Sequence, residues 1–170
     1  DRLDQARREP GEIKAFIELH IEQGAILDEE DIDIGVVEGI VGIRWWDVTI
    51  EGFANHAGTT PMNRRWDAMV TAAEYVLAVN EVATSMPGTQ VATVGRIHAA
   101  PGAPNVIPGE VVLSLEIRDL SAEKMQRVFD VIRAAGERIA EAGSTPIRDV
   151  EIAVDVAAAP SDERLRRSLA

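Results

Sequence analysis

Three histidines and no cysteine limit the chemistry this chain can do, because thiolate nucleophiles and thiolate metal sites are excluded. His20 lies in "ELHIEQG", where alternation puts Glu18, His20 and Glu22 on one face, shortly before Gly24. A histidine flanked by carboxylates near a strand's carboxyl end suits Zn²⁺ ligation through a ring nitrogen. The same residues also describe an ordinary solvated strand face. His56 lies in "ANHAGTTPM", a loop of small and turn-forming residues with no second histidine near it. There a neutral imidazole can donate to a substrate oxygen or polarise a carbonyl; a turn histidine without a role has the same surroundings. Asn105 sits in the stiff loop "APNVIPG", and Arg118 near the end of "EVVLSLEIRD". An amide and a guanidinium brought together suit a carboxylate, the guanidinium by bidentate pairing. The default for Arg118 is an ion pair with Glu116 or Asp119. His98 is assigned no role, and Trp45 and Trp46 cannot both face one core.

Hydrophobic periodicity supplies the elements that must position these groups. "IKAFIELHIEQG" alternates with period two and reads as a strand over 14–24. The pattern predicts strands over 43–53, in "QVATVGRIHAA", in "EVVLSLEIRDL" and in "IRDVEIAVDVAAA". Trp46, Val48 and Ile50 share one face of the first; Val111, Leu113, Leu115 and Ile117 point inward from the third. Two helical runs lie between them. The first, near 65–84, starts between Pro61 and Asp67 and shows apolar residues at 69, 72, 73, 76 and 79. The second, near 121–142, is capped by Ser121 and presents Met125, Val128, Phe129, Ile132, Ala135 and Ile139. Ser161 is the expected cap of a further helix.

The order from 43 to 157 is β-α-β-β-α-β. It predicts an α+β ferredoxin-like sandwich: a four-stranded antiparallel sheet with two helices on one face. On this reading residues 1–42 are a remnant of another α/β domain, 43–157 the complete small domain, and 158–170 the start of a returning segment. The first residue is Asp1 rather than methionine, so we expect an excerpt of a longer chain.

The 170 residues are 46% hydrophobic, enough to bury a core. Net charge is −12, which opposes binding to phosphate backbones. Aromatic content is 4%, too low for an RNA-stacking sheet. No apolar run reaches the length of a membrane span, and no signal-peptide pattern opens the chain. These features, with the lack of cysteine, lead us to expect a cytoplasmic protein with no nucleic-acid or membrane partner.

"ELHIEQG", "GIVGIRWWDVTIEGFANHAGTTPMNRRWDA", "TVGRI" and "PGAPNVIPGEVVLSLEIRD", in this order, resemble the amidase–hydantoinase–carbamoylase family over residues 12–162. That family of metal-dependent amidohydrolases includes N-carbamoyl-L-amino-acid hydrolases, β-ureidopropionases and allantoate amidohydrolases. The resemblance implies a dimerising ferredoxin-like domain inserted in a catalytic α/β domain, acting on a small carboxylate-bearing amide or ureido substrate. It implies that His20 is a metal ligand, that Gln23 faces the substrate, and that His56 reaches a partner subunit's active site. It implies that Asn105 and Arg118 hold the substrate carboxylate. The metal would be zinc, or manganese, cobalt or nickel. The family's other ligands and its general base are missing from this sequence, so the chain by itself is expected to be inactive and to bind no metal tightly. A free-standing dimerisation module is the alternative. The loops 54–62 and 101–109 are expected to be mobile, for want of partners.

Overall fold

The computed structural model describes residues 3–170. It divides into two compact units, residues up to Val36 and Val37–Ala170. The first unit holds a 3-10 turn, Leu3–Ala6, and one helical turn, α1 (Ile26–Glu29). The Glu22 carboxylate accepts from the N–H groups of Ile26 and Leu27 at 3.0 and 3.1 Å and so anchors that turn. The strand expected over 14–24 does not form: residues 13–22 take part in no ladder. Phe16, Ile17, Leu19 and Ile21 are all exposed. Alternation suits a strand, but a strand also needs a partner to accept its backbone groups, and this run has none among the described residues.

The second unit runs β1 (Gly39–Ile40), β2 (Gly42–Glu51), β3 (Asn55–His56), α2 (Ala68–Ser85), β4 (Val91–Thr93), β5 (Ile97–Ala100), β6 (Val106–Ile107), β7 (Glu110–Asp119), α3 (Ala122–Gly143), β8 (Ile147–Val156), β9 (Ala159–Pro160) and α4 (Glu163–Leu169). The main sheet is antiparallel in the order β4-β7-β2-β8, and β5 also pairs with β7. It therefore has five strands where four were expected, because the run read as one strand over 90–100 is two. β4 pairs with 116–118 of β7 and β5 with 110–113. Gly95 lies in the gap, and glycine inside a strand gives up both packing and backbone restriction. One bond, Ser114 N–H to Arg96 C=O at 3.0 Å, spans the break.

The core lies between one face of this sheet and both helices. Trp46, Val48 and Ile50 of β2 meet Val111, Leu113, Leu115 and Ile117 of β7 there, with Tyr75 and Val79 of α2 and Met125, Val128 and Ile132 of α3. The inward residues of β2 and β7 are those expected from alternation. Trp46 stacks on Phe129, ring centroids 4.3 Å apart, while Trp45 points to the opposite face and is partly exposed. Ser121 caps α3 by accepting from Lys124 N–H at 3.2 Å, and Asp67 caps α2 by accepting from Met69 N–H at 3.0 Å. The cap of α4 is Asp162, not Ser161: its carboxylate reaches the N–H groups of both Arg164 and Leu165.

The buried face of α2 is rotated from the expected one. It carries Ala68, Thr71, Ala72, Tyr75, Val79 and Val82. Thr71 and Tyr75 did not count as apolar, yet Thr71 satisfies its hydroxyl against Thr145 inside the core. α2 is apolar nearly all round, so its periodicity is weak.

Candidate functional site

Two short ladders beyond the main sheet shape the chemistry-bearing loops. β3 pairs with β6, setting Asn55 opposite Ile107 and His56 opposite Val106. Ala57 N–H then donates to Asn105 C=O at 2.9 Å. The loops expected to be mobile thus pair with each other. Gly52 and Gly109 seat this ladder on the main sheet: Gly52 N–H donates to Gly109 C=O at 2.8 Å. A Cβ on Gly52 would lie 2.4 Å from the Trp66 carbonyl, so only glycine fits that approach.

Within the loop, hydrogen bonds fix both the backbone and the ring of His56. Asn55 Oδ1 accepts from His56 N–H at 2.8 Å, and His56 C=O accepts from the Thr60 hydroxyl at 2.8 Å. Gly58 N–H donates to His56 Nδ1 at 3.0 Å. A ring nitrogen that accepts is unprotonated, so the imidazole hydrogen resides on Nε2. His56 is exposed, so Nε2–H is free to donate outward. An open concavity of about 520 Å³ lies beside the loop, with Asn55, Thr60, Arg64 and Trp66 in its wall.

Arg118 is elsewhere. It stands near the carboxyl end of β7, opposite Ile43 of β2 and Val91 of β4, whereas Asn105 lies beyond that strand's amino end. Residues 110–118 alone span about 26 Å at strand rise, so within one chain Asn105 and Arg118 cannot grip one carboxylate. The structure brings His56 and Asn105 together and leaves Arg118 apart. Arg118 forms a bidentate pair with Glu116: Nε donates to Oε1 at 2.6 Å and Nη2 to Oε2 at 3.1 Å. That hydrogen bond, with the guanidinium charge and a further bond from Trp45, holds the Glu116 carboxyl below its ordinary value. The same pairing raises Arg118. This uses the Nε–Nη2 edge of the guanidinium and leaves the Nη1–Nη2 edge for a second anion.

His20 and Gln23 belong to the first unit. His20 is exposed, and its Nδ1 lies 2.6 Å from Ile21 C=O. Glu22, its expected companion, is spent on α1. Among the described residues no three His, Cys, Asp or Glu side chains converge as a metal site. His20 alone cannot complete a catalytic zinc site, which needs about three protein ligands. Gln23 has a left-handed backbone, φ 57°. His98 is exposed on β5, opposite Val112. Sequence reasoning missed Arg65, whose half-buried guanidinium reaches the carbonyls of Ala57 and Thr60. The available signal was an arginine pair closing the loop that carries His56.

Residues 39–144 match the peptidase dimerisation domain family. The chain is 48% identical over 141 residues to an N-carbamoyl-L-amino acid amidohydrolase of Geobacillus stearothermophilus, covering 83% of this chain and 34% of that protein. It is 41% identical over 111 residues to an allantoate amidohydrolase of Escherichia coli, covering 65% and 27%. A hydantoinase/carbamoylase-family amidase of Burkholderia multivorans superimposes with a TM-score of 0.82 at 33% identity, over 88% of this chain and 36% of that one. The chain thus spans about a third of the length of these relatives. With the family match covering most of the sheet and both long helices, the chain belongs to the peptidase dimerisation domain family, in its hydantoinase/carbamoylase branch.

Proposed function

We propose that this chain is the dimer-forming, substrate-gripping part of a metal-dependent amidohydrolase that cleaves C–N bonds of linear amides, with N-carbamoyl-L-amino acids as substrate class. The observation that carries the reading is the β3–β6 ladder, which brings the backbone segments of His56 and Asn105 side by side, with Gly58 N–H on Nδ1 leaving the His56 donor at Nε2. A positioned N–H is suited to the oxyanion that develops as an amide carbonyl is attacked. Asn105 offers a neutral donor next to it, and Arg118 offers a guanidinium edge to the substrate carboxylate. Gln23 and His20 are assigned to substrate and metal by resemblance alone.

The separation of Arg118 from Asn105 supports a composite site. In a homodimer paired along the β4/β5 edge, a two-fold axis sets the Arg118 end of one copy beside the His56 and Asn105 end of the other. On this reading 43–157 is a ferredoxin-like lid with one broken edge strand, 1–42 and 158–170 are catalytic-domain segments, and the protein is cytoplasmic. Allantoate and ureidopropionate present the same carboxylate and are the competing substrates.

The test is hydrolysis of N-carbamoyl amino acids, allantoate and ureidopropionate, with Zn²⁺, Mn²⁺ or Co²⁺, by the longest polypeptide containing this chain. His56→Ala is expected to lower kcat by roughly 10²–10³, the usual cost of one oxyanion donor. Turnover unchanged by this substitution would refute the role of His56. The match of residues 39–144 to a dimerisation domain supports a second reading, a non-catalytic dimerisation module; dimerisation without turnover of any of these substrates would favour it.

A further inference from the structure

The Arg65 guanidinium hydrogen-bonds to carbonyls of one loop. Nη2 donates to Ala57 C=O at 2.7 Å and to Thr60 C=O at 2.9 Å, and Nε donates to Thr60 C=O at 3.1 Å. Ala57 and Thr60 flank the residue that matters most to the His56 ring, Gly58, whose N–H meets Nδ1. Thr60 also closes the loop on His56 C=O, by its hydroxyl and, at 3.2 Å, its amide. The fork therefore fixes both ends of the turn that presents the Gly58 amide. Its half-buried setting shields these bonds from competing water. A lysine has no such fork: its ammonium is a point donor on a flexible stem.

We infer that Arg65 is the positioning residue of His56: by gripping the Ala57 and Thr60 carbonyls it holds the Gly58 amide on Nδ1, which fixes the ring orientation and keeps the Nε2–H donor pointing out of the loop. The consequence for turnover rests on the role proposed for His56; the lock itself does not.

The lock is read without substrate, on the ¹⁵N-labelled chain, as the through-hydrogen-bond ¹⁵N–¹⁵N coupling between the Gly58 amide and His56 Nδ1. The wild type is expected to show the coupling and slow exchange of the Gly58 amide. Arg65→Ala is expected to abolish the coupling and speed Gly58 exchange at least about tenfold, with the amides of β2 and β7 unchanged. Should Arg65→Ala not fold, Arg65→Lys retains the charge and stem and is expected to weaken the coupling clearly. A wild type without the coupling, or either folded variant with a wild-type coupling, overturns the proposal. In the longest active polypeptide, Arg65→Ala is expected to lower kcat at least about tenfold with KM within about threefold, the signature of a group that acts in the transition state. Coupling lost with turnover unchanged would leave the lock standing and refute the catalytic role of His56 instead.

Discussion

α2 and α3 cover the same sheet face, yet their outer surfaces are opposites. α3 turns Glu123, Arg127, Asp130, Arg133, Glu137, Arg138 and Glu141 to solvent, and Arg133 and Glu137 pair one turn apart. α2 turns out Val70, Ala73 and Leu77, with only Glu74 and Glu81 charged among its exposed residues. Val70 and Leu77 are 55% and 69% exposed and two turns apart, hence on one stripe. A helix that is apolar on both sides is built to be covered on both sides. Both helices pack across β7 and β2; α2 alone reaches β4, at the broken edge of the sheet, and α3 reaches β8 at the other edge. In the dimer proposed above, this contrast assigns the α2 flank to the second copy.

The largest effect should come from charging the apolar flank. Leu77→Asp, alone or with Val70→Asp, is expected to shift a dimer to monomer by at least about a hundredfold in dissociation constant, while Val131→Asp on α3 changes it little. Sedimentation equilibrium measures both; equal effects would erase the distinction between the helices. The seam they share is next. A Cβ on Gly136 of α3 would lie 2.5 Å from the Tyr75 ring of α2, and Ile147 closes the other side. Gly136→Ala should therefore destabilise by about 1–3 kcal/mol despite alanine's better helix propensity, visible as a lower denaturant midpoint. The caps compare the helices at their starts. Asp67→Ala and Ser121→Ala are each expected to cost about 1 kcal/mol; thermal melts would show whether one helix depends more on its cap.

The smallest effect concerns the sheet face that neither helix covers. Glu116 titrates below its ordinary value of 4.5 because Arg118 bonds to its carboxylate. A lowered folded-state value means the pair's stabilisation is complete above about pH 4.5 and fades as pH falls through the lowered value. For so accessible a pair it is worth about 0–1 kcal/mol. The melting difference between wild type and Glu116→Gln should be small at pH 7 and close in acid; a gap that widened below pH 4.5 would reverse the assignment.

Alternation made β2 and β7 readable because one face of each is fully buried and the other is not. The Ser121 cap was legible for a local reason, a short polar side chain ahead of a helical run, while the start of α2 was legible only as lying between Pro61 and Asp67. The break between β4 and β5 was less visible, since one glycine inside an otherwise good strand leaves the pattern nearly intact. That the 14–24 run stands outside the main sheet was legible; that it forms no strand at all was not, because pairing depends on a neighbour that periodicity does not describe. At the site, His56, Asn105 and Arg118 stood out by type and setting. That the first two lie together and the third lies a strand's length away follows from β3–β6 pairing, which two-residue runs do not announce.

The ladder of β1 on β9 sets Gly39 opposite Pro160 and Ile40 opposite Ala159. A Cβ on Gly39 would lie 2.9 Å from the Pro160 backbone, so the two crossings nearly touch. Ser161 N–H donates to Glu38 C=O at 3.0 Å, and Arg166 pairs with the Glu38 carboxylate at 3.6 Å. The polypeptide thus enters and leaves the folded body through one doorway. A body with a single doorway can be lifted from one chain and set into a surface turn of another, since its host need only open a gap about one strand spacing wide, roughly 5 Å. By the same geometry a short bridge across residues 38 and 161 would free the Met86–Thr89 turn to serve as new ends, leaving the order of contacts in the core as it is.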